Sequence, residues 1–215
     1  MDKTQLPTLH YERLFWSQGK RYVAGCDEAG RGCWAGPVMV AAVVLPADVT
    51  MANVLRAAGV RDSKLLTPAQ REALVPLIEE VALATAVASA SPAEIDRLGI
   101  APATRLAIRR ALEQLPLAPQ ALLLDAFPLP ESPLPQEALV RGDSLSISIA
   151  AASILAKVAR DRLMEAYDTD YPGYGFARHK GYGTAEHRAA LQRLGPTPLH
   201  RHTWKPIRAL FDTTE

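Results

Sequence analysis

The chain of 215 residues reads as an α/β protein: a central mixed five-stranded sheet flanked by helices, with a small helical extension at the C-terminus. Three observations predict this. Two apolar strand patterns follow one another early, over 22–26 and 38–45, and the later strand patterns alternate with helical ones. Consecutive strands plus alternation give a sheet of mixed sense with helices on its faces. The run 38–45 is also apolar without interruption, as expected of a strand covered on both sides.

The elements follow in order. A short helix is expected over 11–16. Asp62, Ser63 and Lys64 form a polar loop, and Thr67-Pro68-Ala69-Gln70 then supplies a capping residue, a proline at the first helical position and a glutamine three residues on, which starts a helix. Pro76 is expected to kink or split that helix. Residues 81–90, small and apolar with β-branched insertions, predict a strand. Ser91-Pro92-Ala93-Glu94 repeats the capping pattern and opens a short helix ended near Gly99, followed by a longer one over roughly 104–115. Residues 121–125 form an apolar run that ends in an acid, 127–136 a proline-rich loop, and 139–141 one more short strand. The longest helical pattern spans 144–168, where Ile147, Ala151, Ile154 and Val158 share one face and Ser146, Ser153, Lys157 and Arg160 another. Residues 171–184, rich in Gly and Tyr, predict irregular backbone; 185–194 predict a last helix and 196–205 a basic loop. There is no internal repeat.

Length predicts one domain, with 168–215 as its basic loop-and-helix extension. With 48% hydrophobic and 22% charged residues the composition is that of a soluble globule, and no apolar run is long enough to span a bilayer. Residues 1–11 are polar, which predicts no secretory leader and a cytoplasmic protein. Cys26 and Cys33 have no further Cys or His at ligand spacing, and a disulfide is not expected in the cytosol, so both read as small apolar packing residues. The net charge of +1 hides an asymmetry: from 157 to 208 there are ten Lys and Arg against five acids, together with four of the five histidines. A basic C-terminal quarter opposite an acidic cluster suits a polyanion, and equally describes a solvated surface.

The acids carry the chemistry. Asp27 and Glu28 stand where the first strand ends, before the turn Ala29-Gly30-Arg31-Gly32, whose two glycines let backbone N–H groups approach a ligand closely. Asp125 ends another strand and Asp143 precedes the long helix. Ligand crevices of open α/β sheets lie at strand ends, so these acids can converge. Crowded carboxylates repel unless a cation lies between them, and oxygen-only ligands point to Mg²⁺ or Mn²⁺ rather than zinc. Each residue also has an ordinary reading: Asp27-Glu28 as turn chemistry, Asp125 as a loop acid, Asp143 as the helix N-cap.

Asp27-Glu28-Ala29-Gly30-Arg31-Gly32 followed by Ala35-Gly36-Pro37-Val38 resembles the signature of ribonuclease HII, the type 2 ribonuclease H. The resemblance continues through Asp62-Ser63-Lys64-Leu65-Leu66-Thr67 and through Gly142-Asp143-Ser144 with the helix after it. It resumes in Tyr174-Gly175-Phe176, in His179-Lys180-Gly181-Tyr182-Gly183-Thr184 and in His200-Arg201, so the matches run in order from 22 to 204. It implies a ribonuclease H-like fold and an endonuclease acting on RNA·DNA hybrids and on duplex DNA with embedded ribonucleotides. It further implies Asp27, Glu28, Asp125 and Asp143 as catalytic metal ligands, Gly30, Arg31 and Gly32 as sensor of the ribonucleotide 2′-OH, and Tyr182 as a platform stacking on the sugar at the RNA-to-DNA junction.

The chemistry agrees with the residues. Two Mg²⁺ or Mn²⁺ ions about 4 Å apart would activate a water and stabilise the departing 3′-oxygen, leaving 5′-phosphate and 3′-hydroxyl ends. The 2′-OH is then recognised rather than consumed, unlike in a histidine-pair ribonuclease, and the histidines here lie far from the acids in sequence. Lys64, Arg31 and Lys180 are candidate phosphate contacts, a plain surface cation being the competing reading of each; Tyr182 as loop packing competes with stacking. The chain departs from the family pattern at Ala126, usually glycine, at Leu65, commonly lysine, and at the bulky Trp34. No acid is missing, so activity is expected to survive.

Three rivals are distinguishable. A resolvase or transposase of the same fold would cut branched all-DNA substrates; a hybrid-binding module would bind without turnover; a small-molecule phosphatase would need neither Tyr182 nor the basic tail. The expected partners are RNA·DNA hybrid and ribonucleotide-containing duplex DNA, with no membrane. A monomer is expected, and residues 208–215 carry no evident peptide for a replication clamp.

Overall fold

The structure is a computed structural model in which residues 6–211 are described. The first five residues, part of the stretch read as lacking a leader, and the last four, part of the stretch read as lacking a clamp peptide, lie outside the described residues.

Strands β1 (Val23–Ala29), β2 (Val38–Val44), β3 (Ala84–Ala90), β4 (Ala121–Asp125) and β5 (Gln136–Leu139) form one mixed sheet in the order β3-β2-β1-β4-β5. β1 pairs antiparallel with β2 and parallel with β4; β2 pairs antiparallel with β3, and β4 parallel with β5. The predicted mixed five-stranded sheet is therefore present. Its layers follow from strand alternation. Ala41 and Val43 pack with Ile147, Ala151 and Ile154 of helix α6 (Ile147–Asp170) and with Ile78 and Val81 of α3 (Pro68–Val81). Ala24, Cys26, Val40 and Ala42 point the other way, against Ala103, Ala107 and Ala111 of α5 (Ile100–Gln114). Helix α1 (His10–Trp16) leans on the β1 and β4 edge of the α6 layer. A further apolar cluster joins Trp34, Met164, Tyr174, Phe176, Leu191 and Ile207 in the C-terminal part.

Several boundaries differ from the sequence reading, each for a local reason. β1 continues past Cys26 to Ala29, so Asp27 and Glu28 lie on the strand rather than beyond it. α3 runs unbroken through Pro76, which sits on the solvent side, where water can take up the carbonyl it leaves free. α5 starts four residues early, because Pro102 falls in the first turn, where no intrahelical donor is needed. β5 ends at Leu139 and does not reach Arg141, which is left-handed (φ 59°). The segment read as one helix over 144–168 is a 3₁₀ turn, Gly142–Ser144, followed by α6. Ser146 caps α6 by accepting from the Ile149 N–H at 3.3 Å, so Asp143 is not the N-cap.

Two helices lack a sequence expectation: α2 (Val49–Ala57), capped by Asp48, and α9 (Lys205–Phe211), after the basic loop. Short α7 (Phe176–His179) lies inside the segment expected to be irregular, and α4 (Pro92–Leu98) and α8 (Ala185–Leu194) stand as expected. Among the described residues no helix is long and apolar enough to cross a membrane. Cys26 and Cys33 are buried free thiols.

Candidate active site

Side chains alternate along β1, so Asp27 shares the α6 face with Val23 and Ala29, while Glu28 has the parity of Ala24 and Cys26. β4 lies parallel beside β1 with Val23 opposite Ala121 and Cys26 opposite Leu124. Carrying that register one residue further brings Asp125 alongside Asp27 on the same face. The 3₁₀ turn Gly142–Ser144 delivers Asp143 to the same place, and carboxylate oxygens of Asp27, Asp125 and Asp143 all lie within 4.8 Å of one another. Glu28, of opposite parity, stands at the rim with Oε1 3.3 Å from Arg31 Nη1. Three of the four predicted acids thus converge; Asp27 and Asp125 line a cleft of about 240 Å³ together with Glu28, while Asp143 meets them without lining it.

The electrostatics follow from burial without matching countercharge. Asp27 is pushed well above the ordinary carboxylate range, first by burial and then by the charges of Glu28, Asp125 and Asp143. Burial also raises Asp125 and Glu28, the latter despite Arg31. Asp143 is raised to about 6, by burial and then by Asp62, against the pull of Lys64. Lys64 lies 3.3 Å from Asp143 Oδ2; burial works against its charge, but Asp143, Asp62 and Asp27 outweigh it and raise its pKa. Backbone donors aim the acids: Glu28 N–H to Asp27 Oδ1 at 2.6 Å, and Gly142 N–H to Asp125 Oδ1 at 2.7 Å. Three hard oxygen donors facing one another, with Lys64 paired to Asp143 at the edge, fit a divalent cation such as Mg²⁺ or Mn²⁺.

The turn beside the acids is built differently. Gly30 has φ +91°, and a Cβ there would run into Arg160. Arg160 donates to the carbonyls of Ala35, Pro37 and Lys180, and Arg201 to those of Gly30, Arg31 and Gly36. Both arginines are buried. Counted in the sequence as part of a basic surface, they are instead internal supports, for which charge counting carries no signal. Arg201 pins the Gly30 and Arg31 carbonyls of the turn, and Arg160 packs against Gly30 and holds the chain that follows at Ala35 and Pro37. The Arg31 guanidinium lies between Glu28 and the Phe127 ring, 3.9 Å from its centroid, and Gly32 faces open space.

Tyr182 lines the cleft and is 45% exposed, with Lys157 Nζ 5.9 Å from its ring centroid. Lys157 and Ser63 line it too, although neither is among the site residues predicted from sequence. Lys180 does not line this cleft: its Nζ lies 2.5 Å from Glu165 Oε1 and 2.6 Å from the Ala177 carbonyl. Beneath Tyr182 the histidines hold one another: His187 Nδ1 is 2.9 Å from the Tyr182 carbonyl, and its Nε2 3.1 Å from His200 Nε2.

The departures from the family pattern have structural places. Trp34 is buried under Gly183, where a Cβ would overlap its ring, and so does not intrude on the cleft. Ala126 has φ 59°, a left-handed conformation that glycine adopts at lower cost. Leu65 is exposed in the turn Ser63–Leu65.

Residues 24–207 match the family model described as ribonuclease HII. The ribonuclease HII of Synechococcus sp. is 53% identical over 210 residues, covering 98% of this chain and 93% of the relative. Among solved structures, the ribonuclease H2 of Pyrococcus horikoshii OT3 superposes with a TM-score of 0.74 at 30% identity, covering 87% of this chain and 96% of that one. The RNase HII solved in complex with PCNA from Archaeoglobus fulgidus gives 0.72 at 30% identity, covering 86% and 95%. The chain belongs to the ribonuclease HII family, metal-dependent nucleases with ribonuclease H activity.

Proposed function

We propose that the protein hydrolyses the RNA strand of RNA·DNA hybrids and cuts on the 5′ side of ribonucleotides embedded in duplex DNA, leaving 5′-phosphate and 3′-hydroxyl ends, and so serves ribonucleotide removal in replication and repair. The observation that carries this reading is the convergence of Asp27, Asp125 and Asp143, the first two of which line a cleft that also holds Gly30, Arg31, Gly32 and Tyr182. Asp27, Asp125 and Asp143, with Glu28 at the rim, hold the Mg²⁺ or Mn²⁺ cofactor. Two such ions, when bound, supply an activated water and neutralise charge on the leaving oxygen. Lys64 and Arg31 meet phosphates from the cleft edge, and Lys180 meets them farther along the duplex. The turn Gly30-Arg31-Gly32 presents backbone to the 2′-OH, and Tyr182 stacks on the sugar that follows.

The test is cleavage of a DNA duplex carrying one ribonucleotide, with Mg²⁺ or Mn²⁺, beside an all-DNA control and Asp27→Asn. One cut 5′ of the ribonucleotide, absent from both controls, is expected. Tight binding without a cut under either metal would contradict it.

A further inference from the structure

We propose that Glu12 is a positioning residue for the metal-ligand acids, acting through the first turn of α6; the inference rests on the metal-site reading above. Glu12 sits on α1, outside the acid cleft, yet it is 1% exposed. Its Oε1 accepts from Ser146 Oγ at 2.6 Å, Ser148 Oγ at 2.7 Å and the Ser148 N–H at 3.0 Å. Its Oε2 is buried without a partner. Burying a carboxylate for packing alone is costly, and an apolar side chain would fill the space.

What the carboxylate secures is the start of α6. A helix leaves its first N–H groups without intrahelical partners. Here Ile147 N–H donates to the Thr8 carbonyl at 3.1 Å, Ser148 N–H to Glu12, and Ile149 N–H to Ser146 Oγ. The N-terminal segment therefore closes two of these three bonds, and Glu12 also fixes the hydroxyl that makes the third.

From Ser146 the path to the acids is short. Ser146 N–H donates to the Gly142 carbonyl at 2.8 Å, and Gly142 N–H to Asp125 Oδ1 at 2.7 Å, with Asp143 next in the chain. Gly25 allows the approach: a Cβ there would lie 2.5 Å from the Ser148 carbonyl carbon and 2.6 Å from the Ile149 nitrogen. Glu12 thus sets the turn that carries Asp143 and holds Asp125.

The experiment is calorimetric titration of Mn²⁺ into the whole protein, with thermal melting alongside. Glu12→Ala is expected to raise the Mn²⁺ dissociation constant about 10-fold, as loss of an outer-sphere support does. Glu12→Gln keeps an acceptor oxygen and is expected to stay within about threefold of the parent. Ile108→Ala, in the core on the opposite face of the sheet, is expected to lower the melting temperature without changing Mn²⁺ affinity. Should Glu12→Ala not fold, Ser148→Ala carries the test, with weaker Mn²⁺ binding expected. Parent-like affinity in Glu12→Ala, or an equal loss in Ile108→Ala, would overturn the proposal. Absence of Mn²⁺ binding by the parent would instead overturn the metal-site reading itself.

Discussion

Asp27, Asp125 and Asp143 are three buried or half-buried like charges with Lys64 paired to Asp143 at their edge, whereas Arg160 and Arg201, along the neighbouring turn, are two buried charges that donate to six backbone carbonyls. The first group is left in want of positive charge; the second is satisfied. A satisfied buried charge holds shape, and an unsatisfied one of uniform sign marks a place for a ligand of opposite sign. The acids should therefore matter for activity more than for stability, and the arginines for both.

The largest effect expected is on activity. Asp27→Asn should lower hydrolysis by about 10³-fold or more, since a bound ion is worth several kcal/mol of barrier. The same change should raise the melting temperature of the metal-free protein at neutral pH, because one of the repelling charges is gone; a fall would break the comparison. Arg160→Met should cost about 3–5 kcal/mol in urea unfolding, by stranding the buried carbonyls of Ala35 and Pro37 and the half-buried one of Lys180.

The pH dependence sharpens the contrast. Asp143 is raised from 3.8 to about 6, so the folded metal-free protein binds the extra proton in that window. Stability from this group is greatest below 3.8 and is lost as pH rises through about 6. His187 and His200, lowered from 6.5 to about 4 chiefly by burial, run the other way: their stability is present above 6.5 and lost as pH falls through about 4. Asp143→Asn should remove the first slope and keep the second, so stability should climb more steeply between those limits, as melting in metal-free buffers would show. The smallest effect is Ala126→Gly, expected to gain about 1 kcal/mol by relieving the left-handed strain.

Much of this is legible in the residues. Asp125 closes β4 as its apolar run predicts, Asp27 lies two residues inside the end of β1 rather than beyond it, and the Thr67 and Ser91 capping boxes are both present. Asp143 is ambiguous in sequence because a helix pattern does not separate a 3₁₀ turn from the helix after it; Ser146, not Asp143, makes the cap. Glu12 gives no signal, since its partners lie more than a hundred residues away and only packing brings them together. Charge counting misplaces Arg160 and Arg201 because charge carries no mark of burial. Helix α2 goes without an expectation although Asp48, which accepts from the Thr50 and Met51 N–H groups, is an ordinary N-cap signal.

The most direct measurement is calorimetric titration of Mn²⁺ into the parent and Asp27→Asn proteins, at pH 6 and pH 8, in buffers of different ionisation enthalpy. An ion seated among the raised acids should displace protons at pH 6, fewer at pH 8, and Asp27→Asn should bind it far more weakly. Parent-like Mn²⁺ affinity in Asp27→Asn, or binding at pH 6 without proton release, would contradict the assignment of the triad as the cation site.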